Sequence, residues 1–143
     1  MQLRRLVLAV LLVAHGLPTV FPAMNKQALV QMQNMMRNMC KGKTGVSPQV
    51  MAKAKAGNFE EDPKLKCYLK CCLGMMQTMK NNKISVESAT KQIDSLLPDE
   101  MKEPTLKQLH ACKDSTGTDS CDLAYQFTVC SYNYDKGNFF IPL

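Results

Sequence analysis

The chain has 143 residues, with 18 Lys and Arg against 12 Asp and Glu, so its net charge at pH 7 is +6. This length fits one domain, and the lysines are scattered singly in a chain without tryptophan, which argues against a nucleic-acid-binding surface. The seven cysteines indicate a protein of an oxidising compartment, where disulfide bonds are expected in preference to zinc sites.

The N-terminal segment has the pattern of a secretory signal peptide. Two arginines precede an apolar run from Leu6 to Ala14. That run is nine residues long, whereas a helix needs roughly 20 residues to cross a bilayer. We therefore predict a signal peptide at 1–23, cleaved after Gly16 or Ala23, a secreted protein and no membrane span. Residues 24–143 would form the mature domain.

The first two helices are predicted from apolar spacing and from helix-terminal residues. From Asn25 to Cys40 apolar residues recur at three- and four-residue intervals, which is typical of an amphipathic helix. The Gly42–Gly45 stretch should end it. A short second helix is expected between Ser47 and Gly57, because serine before a proline favours a helix start and glycine favours a helix end.

A third helix is predicted over Lys64–Met79, and it contains the block from Cys67 to Cys72. Cys67 and Cys71 are four residues apart, so their side chains would lie one turn apart on the same face. Two thiols in that arrangement can each reach a different neighbouring segment. We therefore expect this helix to be the centre of the domain.

The rest of the chain predicts three more helices. A turn is expected at Lys80–Lys83, and no alternating stretch indicates a strand, so the predicted class is all-α. The predicted helices run from Ser85 to Leu97, from about Pro104 to Cys112, and from Asp119 or Ser120 to about Tyr132.

The cysteine spacing resembles that of a known family. With Cys72 set aside, the gap between the second and third cysteines is three residues, and the gaps between the fourth, fifth and sixth are eight. Spacing alone leaves about 15 pairings open. This pattern, with the strings Gly42–Val46 and Glu61–Tyr68 and the apolar tail Phe139–Leu143, resembles the insect odorant-binding protein family of the six-cysteine pheromone and general odorant-binding type.

The resemblance implies a compact six-helix disulfide-stapled domain around an internal apolar cavity. Cys72 is an extra cysteine, which we predict to be a free thiol, or an intermolecular link if exposed. The disulfide pairs implied by the resemblance are Cys40–Cys71, Cys67–Cys121 and Cys112–Cys130.

The resemblance also implies reversible binding and carriage of small hydrophobic ligands, such as odorants or pheromones, in an extracellular fluid. Eleven methionines, many on the first and third helices, would suit an adaptable cavity wall or a packed core. Helical stripes and positions carried over from the family predict these ligand-binding residues: Met32, Met36, Leu69, Leu73, Met76, Ile93, Leu106, Leu109, Tyr125, Thr128, Phe139 and Phe140.

The end of the chain is predicted to be a lid at 134–143. The last five residues are uncharged and follow Gly137, so they can fold back over the cavity mouth. The resemblance implies that the carboxylate of Leu143 accepts a hydrogen bond from Tyr68. Protonation of that carboxylate at low pH would then loosen the lid and release ligand.

Two other functions are compatible with the sequence. A non-sensory carrier of lipids or hormones would have the same site chemistry. A small secreted hydrolase is disfavoured because His110 is the one histidine after residue 23, without a glycine-rich calcium loop. We therefore predict no enzyme, no cofactor and no metal site. The expected partners are a small hydrophobic molecule and an odorant receptor, with the protein a monomer or a homodimer.

Overall fold

The computed structural model describes residues 23–143, so the predicted signal peptide lies outside the described residues except for Ala23. The prediction of an all-α domain with six helices is confirmed. A short hairpin (β1, Met79–Lys80; β2, Lys83–Ile84) follows the third helix, and a 3-10 helix (Lys136–Asn138) follows the last. The helices are α1 (Lys26–Thr44), α2 (Pro48–Lys55), α3 (Pro63–Met75), α4 (Val86–Leu96), α5 (Asp99–Cys112) and α6 (Ser120–Tyr134).

Side-chain caps position the start of five helices. Each cap is an Asn, Ser or Asp whose side-chain oxygen accepts a hydrogen bond from a backbone N–H in the first turn, which otherwise has no partner there. Short polar residues therefore determine where these helices begin. The capping residues are Asn25, Ser47, Asp62, Ser85 and Asp119.

Three predicted helix boundaries were wrong, and one of them is the end of α3, which lies at Met75 and not at Met79. α1 continues past Cys40 to Gly45, whose φ of 64° is left-handed and therefore suits glycine as the terminating residue. α5 begins at Asp99, so that Pro104 lies inside the helix instead of starting it. The acidic residues in the first turn of α5 favour the earlier start, because they lie at the positive end of the helix dipole.

The predicted turn at Lys80–Lys83 joins two short antiparallel strands, which the sequence did not predict. Met79 pairs with Ile84 and Lys80 with Lys83. Asn81 and Asn82 have φ values of 50° and 60°, and asparagine tolerates this left-handed conformation. Strands of two residues are too short to show an alternating pattern.

The three disulfide bonds connect α3 and α5 to their neighbours. Cys40–Cys71 joins α1 to α3, Cys67–Cys121 joins α3 to α6, and Cys112–Cys130 joins α5 to α6. These are the pairs that the resemblance implies. α3 packs most extensively on α6 and next on α1. Its Tyr68, like its leucines, is almost completely buried, so α3 forms the centre of the core.

Among the described cysteines, Cys72 forms no disulfide bond, and it is completely buried. Burial raises the pKa of its thiol to about 11 from an ordinary 9.0. Since the thiolate is the reacting form, alkylation at pH 7.5 should be at least about 100-fold slower in the folded protein than in denaturant. Mass spectrometry after timed iodoacetamide treatment measures this, with denatured protein as the control. Rapid alkylation or a Cys72-linked dimer would contradict the prediction.

Candidate ligand-binding site

A cavity that is partly open to solvent lies between α1, α3, α4, α5, α6 and the residues after α6. Its volume, measured as space open to the centre of a water molecule, is about 110 Å³. One water needs only about 10–15 Å³ on this measure, so the cavity has room for an organic molecule. It is lined by Met32, Met36, Leu73, Met75, Met76, Thr78, Ala89, Gln92, Ile93, Leu96, Leu97, Thr105, Gln108, Leu109, Phe127, Ser131, Phe140 and Ile141.

The cavity wall is apolar with a few uncharged polar groups. None of the residues that line it carries a charge. The Thr105 hydroxyl donates to the Met101 carbonyl at 2.7 Å, and the Gln108 amide nitrogen donates to the carbonyls of Ser131 and Asp135 at 2.6 and 3.2 Å. An uncharged wall stabilises an apolar ligand and disfavours a buried ion.

The tail, residues 139–143, closes one side of this cavity. Phe140 and Ile141 belong to its wall, and Ile141, Pro142 and Leu143 are buried. Full burial of an Ile or Leu side chain contributes roughly 1.5–3 kcal/mol. Burial of these apolar side chains therefore favours packing of the tail on the domain.

Three hydrogen bonds from α1 and α3 hold the tail. Gln33 donates to the Phe140 carbonyl at 2.7 Å, and Arg37 donates to the main-chain oxygen of Leu143 at 2.8 Å. Tyr68, which is completely buried, donates its hydroxyl proton to the Pro142 carbonyl at 2.5 Å. These contacts span more than 70 residues of sequence, so they depend on the folded domain.

The expected bond from Tyr68 to the Leu143 carboxylate is corrected by this geometry. The Arg37 guanidinium donates to the Leu143 oxygen instead. A charged donor makes a stronger hydrogen bond to such an oxygen than a neutral hydroxyl does. Tyr68 instead satisfies the Pro142 carbonyl, which does not titrate. Burial raises the pKa of Tyr68, so its hydroxyl keeps its proton and remains a donor at neutral pH.

Aromatic side chains pack against the first residue of the tail, Phe139. Tyr132 packs edge-to-face against Phe59 and against Phe139, with ring centroids 5.2 Å apart in both pairs. Edge-to-face pairs of this kind add a modest stabilisation beyond burial. Gly57 lies against Tyr132 with a φ of 86°, and a Cβ there would lie 2.5 Å from the tyrosine hydroxyl. Glycine is therefore required where the loop after α2 meets α6.

Seven of the predicted ligand-binding residues lie in the cavity wall and five lie elsewhere. Those in the wall are Met32, Met36, Leu73, Met76, Ile93, Leu109 and Phe140. Those outside it are Leu69, Leu106, Tyr125, Thr128 and Phe139.

The residues outside the wall have other contacts. Leu69 is completely buried in the core, and Leu106 packs against the core from a half-buried position. Tyr125 donates to the Phe59 carbonyl at 2.9 Å, and Thr128 donates to the Ala124 carbonyl at 2.7 Å. Phe139 packs on Tyr132. These contacts are to other protein groups, and the predicted ligand contacts of the five residues stay a prediction.

Sequence reasoning missed much of the wall contributed by α5 and α6. Phe127 and Ser131 are four residues apart and line the cavity together. On α5, Thr105 and Gln108 line it beside Leu109. The spacing of Phe127 and Ser131 places them on one helix face, but nothing in the sequence shows that this face meets the cavity.

None of the residues that line the cavity is a histidine, a cysteine or an acidic residue. His110 is exposed near the end of α5 and does not line the cavity. Among residues 23–143, no group of three metal-ligating side chains is clustered. In the same range, no helix combines the length and apolarity that crossing a membrane requires.

Comparison with known proteins places the chain in a family. The sequence profile of the PBP/GOBP family matches residues 22–134. General odorant-binding protein 19a of Drosophila melanogaster is 36% identical over 107 residues, which are 71% of this chain and 73% of that protein. General odorant-binding protein 72 of Anopheles gambiae is 35% identical over 98 residues, which are 67% of this chain and 81% of that protein.

A solved structure supports the same assignment. The crystal structure of odorant binding protein 4 of Chrysopa pallens superposes with a TM-score of 0.78 at 31% identity. The match covers 83% of this chain and 99% of that one. Sequence profile, relatives, disulfide pairs and fold all agree, and we conclude that the chain belongs to the PBP/GOBP family of odorant-binding proteins.

Proposed function

We propose that this protein is secreted and carries its ligand in the cavity of about 110 Å³ behind the tail. As a member of a family of odorant-binding carriers, the protein binds small hydrophobic ligands and is not an enzyme. The proposal adds where the ligand sits, which residues contact it and how it is retained.

The observation that carries the proposal is the tail as part of the cavity wall. Phe140 and Ile141 line the cavity, and Gln33, Arg37 and Tyr68 hold the tail in place. A wall that is tied by side-chain hydrogen bonds can open and close without unfolding the helices. Reversible loading of an apolar molecule needs such an opening.

Secretion is supported by the signal-like pattern of residues 1–23 and by the three disulfide bonds. An odorant receptor as partner, and assembly as a monomer or a homodimer, stay predictions.

Displacement of an apolar fluorescent probe tests the proposed function. Purified protein should bind N-phenyl-1-naphthylamine reversibly, with a micromolar Kd expected for a ligand that gains roughly 0.3–0.5 kcal/mol per heavy atom. The same preparation should not hydrolyse esters or phospholipids. Turnover of either substrate, or no probe binding by folded protein, would contradict the proposal.

Filling the cavity should abolish this binding. Ala89 is buried and lines the cavity, so the ring in Ala89→Phe would occupy ligand space. We expect probe affinity to fall at least about 30-fold, since the apolar contacts that drive binding are lost. Ala89→Leu should give a smaller loss, and Ala111→Phe, at an exposed position of α5, should give none.

Thermal unfolding of Ala89→Phe is the control, because it shows whether the larger side chain destabilises the fold by overpacking. If Ala89→Phe folds and binds the probe as tightly as the original protein, the ligand does not occupy this cavity.

A further inference from the structure

Ser131 is a polar group in the cavity wall whose hydroxyl has no partner among the described residues. The residue is only 3% exposed, and its Oγ atom is buried without a hydrogen bond. Buried hydroxyl groups are normally hydrogen-bonded, because leaving one unpaired is unfavourable. The exception therefore calls for an explanation.

Hydroxyl side chains elsewhere in the helices of the domain show which hydrogen bond Ser131 could have made. Thr44, Ser95, Thr105 and Thr128 each donate to the carbonyl four residues earlier, at 2.7–2.9 Å. This back-bond is the usual way to satisfy a helical hydroxyl. Ser131 makes no such bond, so its hydroxyl remains available.

Gln108 on α5 is hydrogen-bonded to the main chain of α6 at Ser131. The Gln108 amide nitrogen donates to the Ser131 carbonyl at 2.6 Å and to the Asp135 carbonyl at 3.2 Å. Gln108 is 6% exposed and lines the cavity as Ser131 does. The two residues make a polar spot where α5 meets α6, in a wall that is otherwise mostly apolar.

We propose that the Ser131 hydroxyl is the hydrogen-bonding anchor for the ligand, and that the ligand is an apolar chain with one uncharged polar group. An alcohol, aldehyde or ester can bond to a serine hydroxyl. A carboxylate would be buried among lining residues of which none is charged, and an unpaired buried ion is strongly disfavoured. This inference rests on the proposed function and specifies the ligand class for the same cavity.

A matched series of eight-carbon ligands tests it by competition with the fluorescent probe. Ser131→Ala should weaken 1-octanol and octanal about 5- to 10-fold, as loss of one hydrogen bond does. The same variant should leave octane within about twofold, because octane cannot use the hydroxyl. In the unaltered protein at pH 7.5, octanoate should bind at least about tenfold more weakly than 1-octanol.

Ser95→Ala is the matched control. It also removes a helical hydroxyl, but that hydroxyl already donates to the Lys91 carbonyl and lies outside the cavity wall, so all ligand affinities should stay within about twofold. Thermal unfolding of Ser131→Ala should occur at the original temperature or higher, since the hydroxyl bonds to no described residue.

The outcomes separate this inference from the proposed function. Equal weakening of octane and 1-octanol by Ser131→Ala, no weakening of either, or octanoate binding as tightly as 1-octanol would each overturn the inference and leave cavity binding intact. Failure of the unaltered protein to bind the probe would overturn both.

Discussion

Deleting Phe139–Leu143 should raise the rate of ligand dissociation about 10- to 100-fold at neutral pH, because apolar cavity wall is removed with the tail. Phe140 and Ile141 would no longer cover the ligand, and one side of the cavity would open to water. Stopped-flow displacement of the fluorescent probe measures the rate. Dissociation at the original rate would remove the tail from the retention mechanism.

A shorter deletion separates covering the cavity from holding the tail. Removing only Pro142 and Leu143 takes away the partners of Tyr68 and Arg37 but leaves Phe140 and Ile141 in the chain. Its dissociation rate should lie between those of the full chain and the longer deletion. If the shorter deletion has the full effect, the hydrogen bonds and not the apolar cover retain the ligand.

Removing the Cys67–Cys121 disulfide should lower the free energy of unfolding by about 4 kcal/mol, the second large effect that we expect. This bond joins residues 54 positions apart and connects α3 to α6, the most extensively packed pair of helices. Without it the unfolded chain gains conformational freedom. Urea unfolding of the double variant Cys67→Ser/Cys121→Ser, in a Cys72→Ser background that excludes thiol exchange, measures the loss.

The Cys112–Cys130 pair provides the comparison. Its residues are 18 positions apart, and removing a shorter loop should cost less, about 3 kcal/mol on the same entropic reasoning. A larger loss for Cys112–Cys130 than for Cys67–Cys121 would show that local packing, and not loop length, determines how much each bond stabilises the fold.

The sequence predicted a hydrogen bond between Tyr68 and the carboxylate of Leu143, which would be protonated at low pH, and this prediction was partly right. It correctly associated Tyr68 with the tail, since the hydroxyl bonds to Pro142. It assigned the wrong acceptor, because the sequence does not show that Arg37 on α1 lies beside the end of the chain. The partner of a buried polar group depends on every donor nearby in space, including those far along the chain.

The sequence by itself determined the features that depend on near neighbours. Caps such as Ser47, Ser85 and Asp119 were predictable because each satisfies backbone groups two or three residues away. The cysteine spacing was sufficient to indicate the family and, through the resemblance, the disulfide pairs. These signals need no knowledge of how the helices pack.

Only the tertiary structure decided which helix faces line the cavity. On α6 the sequence pointed to Tyr125 and Thr128, whereas Phe127 and Ser131 form the wall. One residue along a helix turns the side chain by about 100°, so a small error in helix rotation exchanges core and cavity faces. That rotation is determined by packing of α6 on α3 and α5, to which residues distant in sequence contribute.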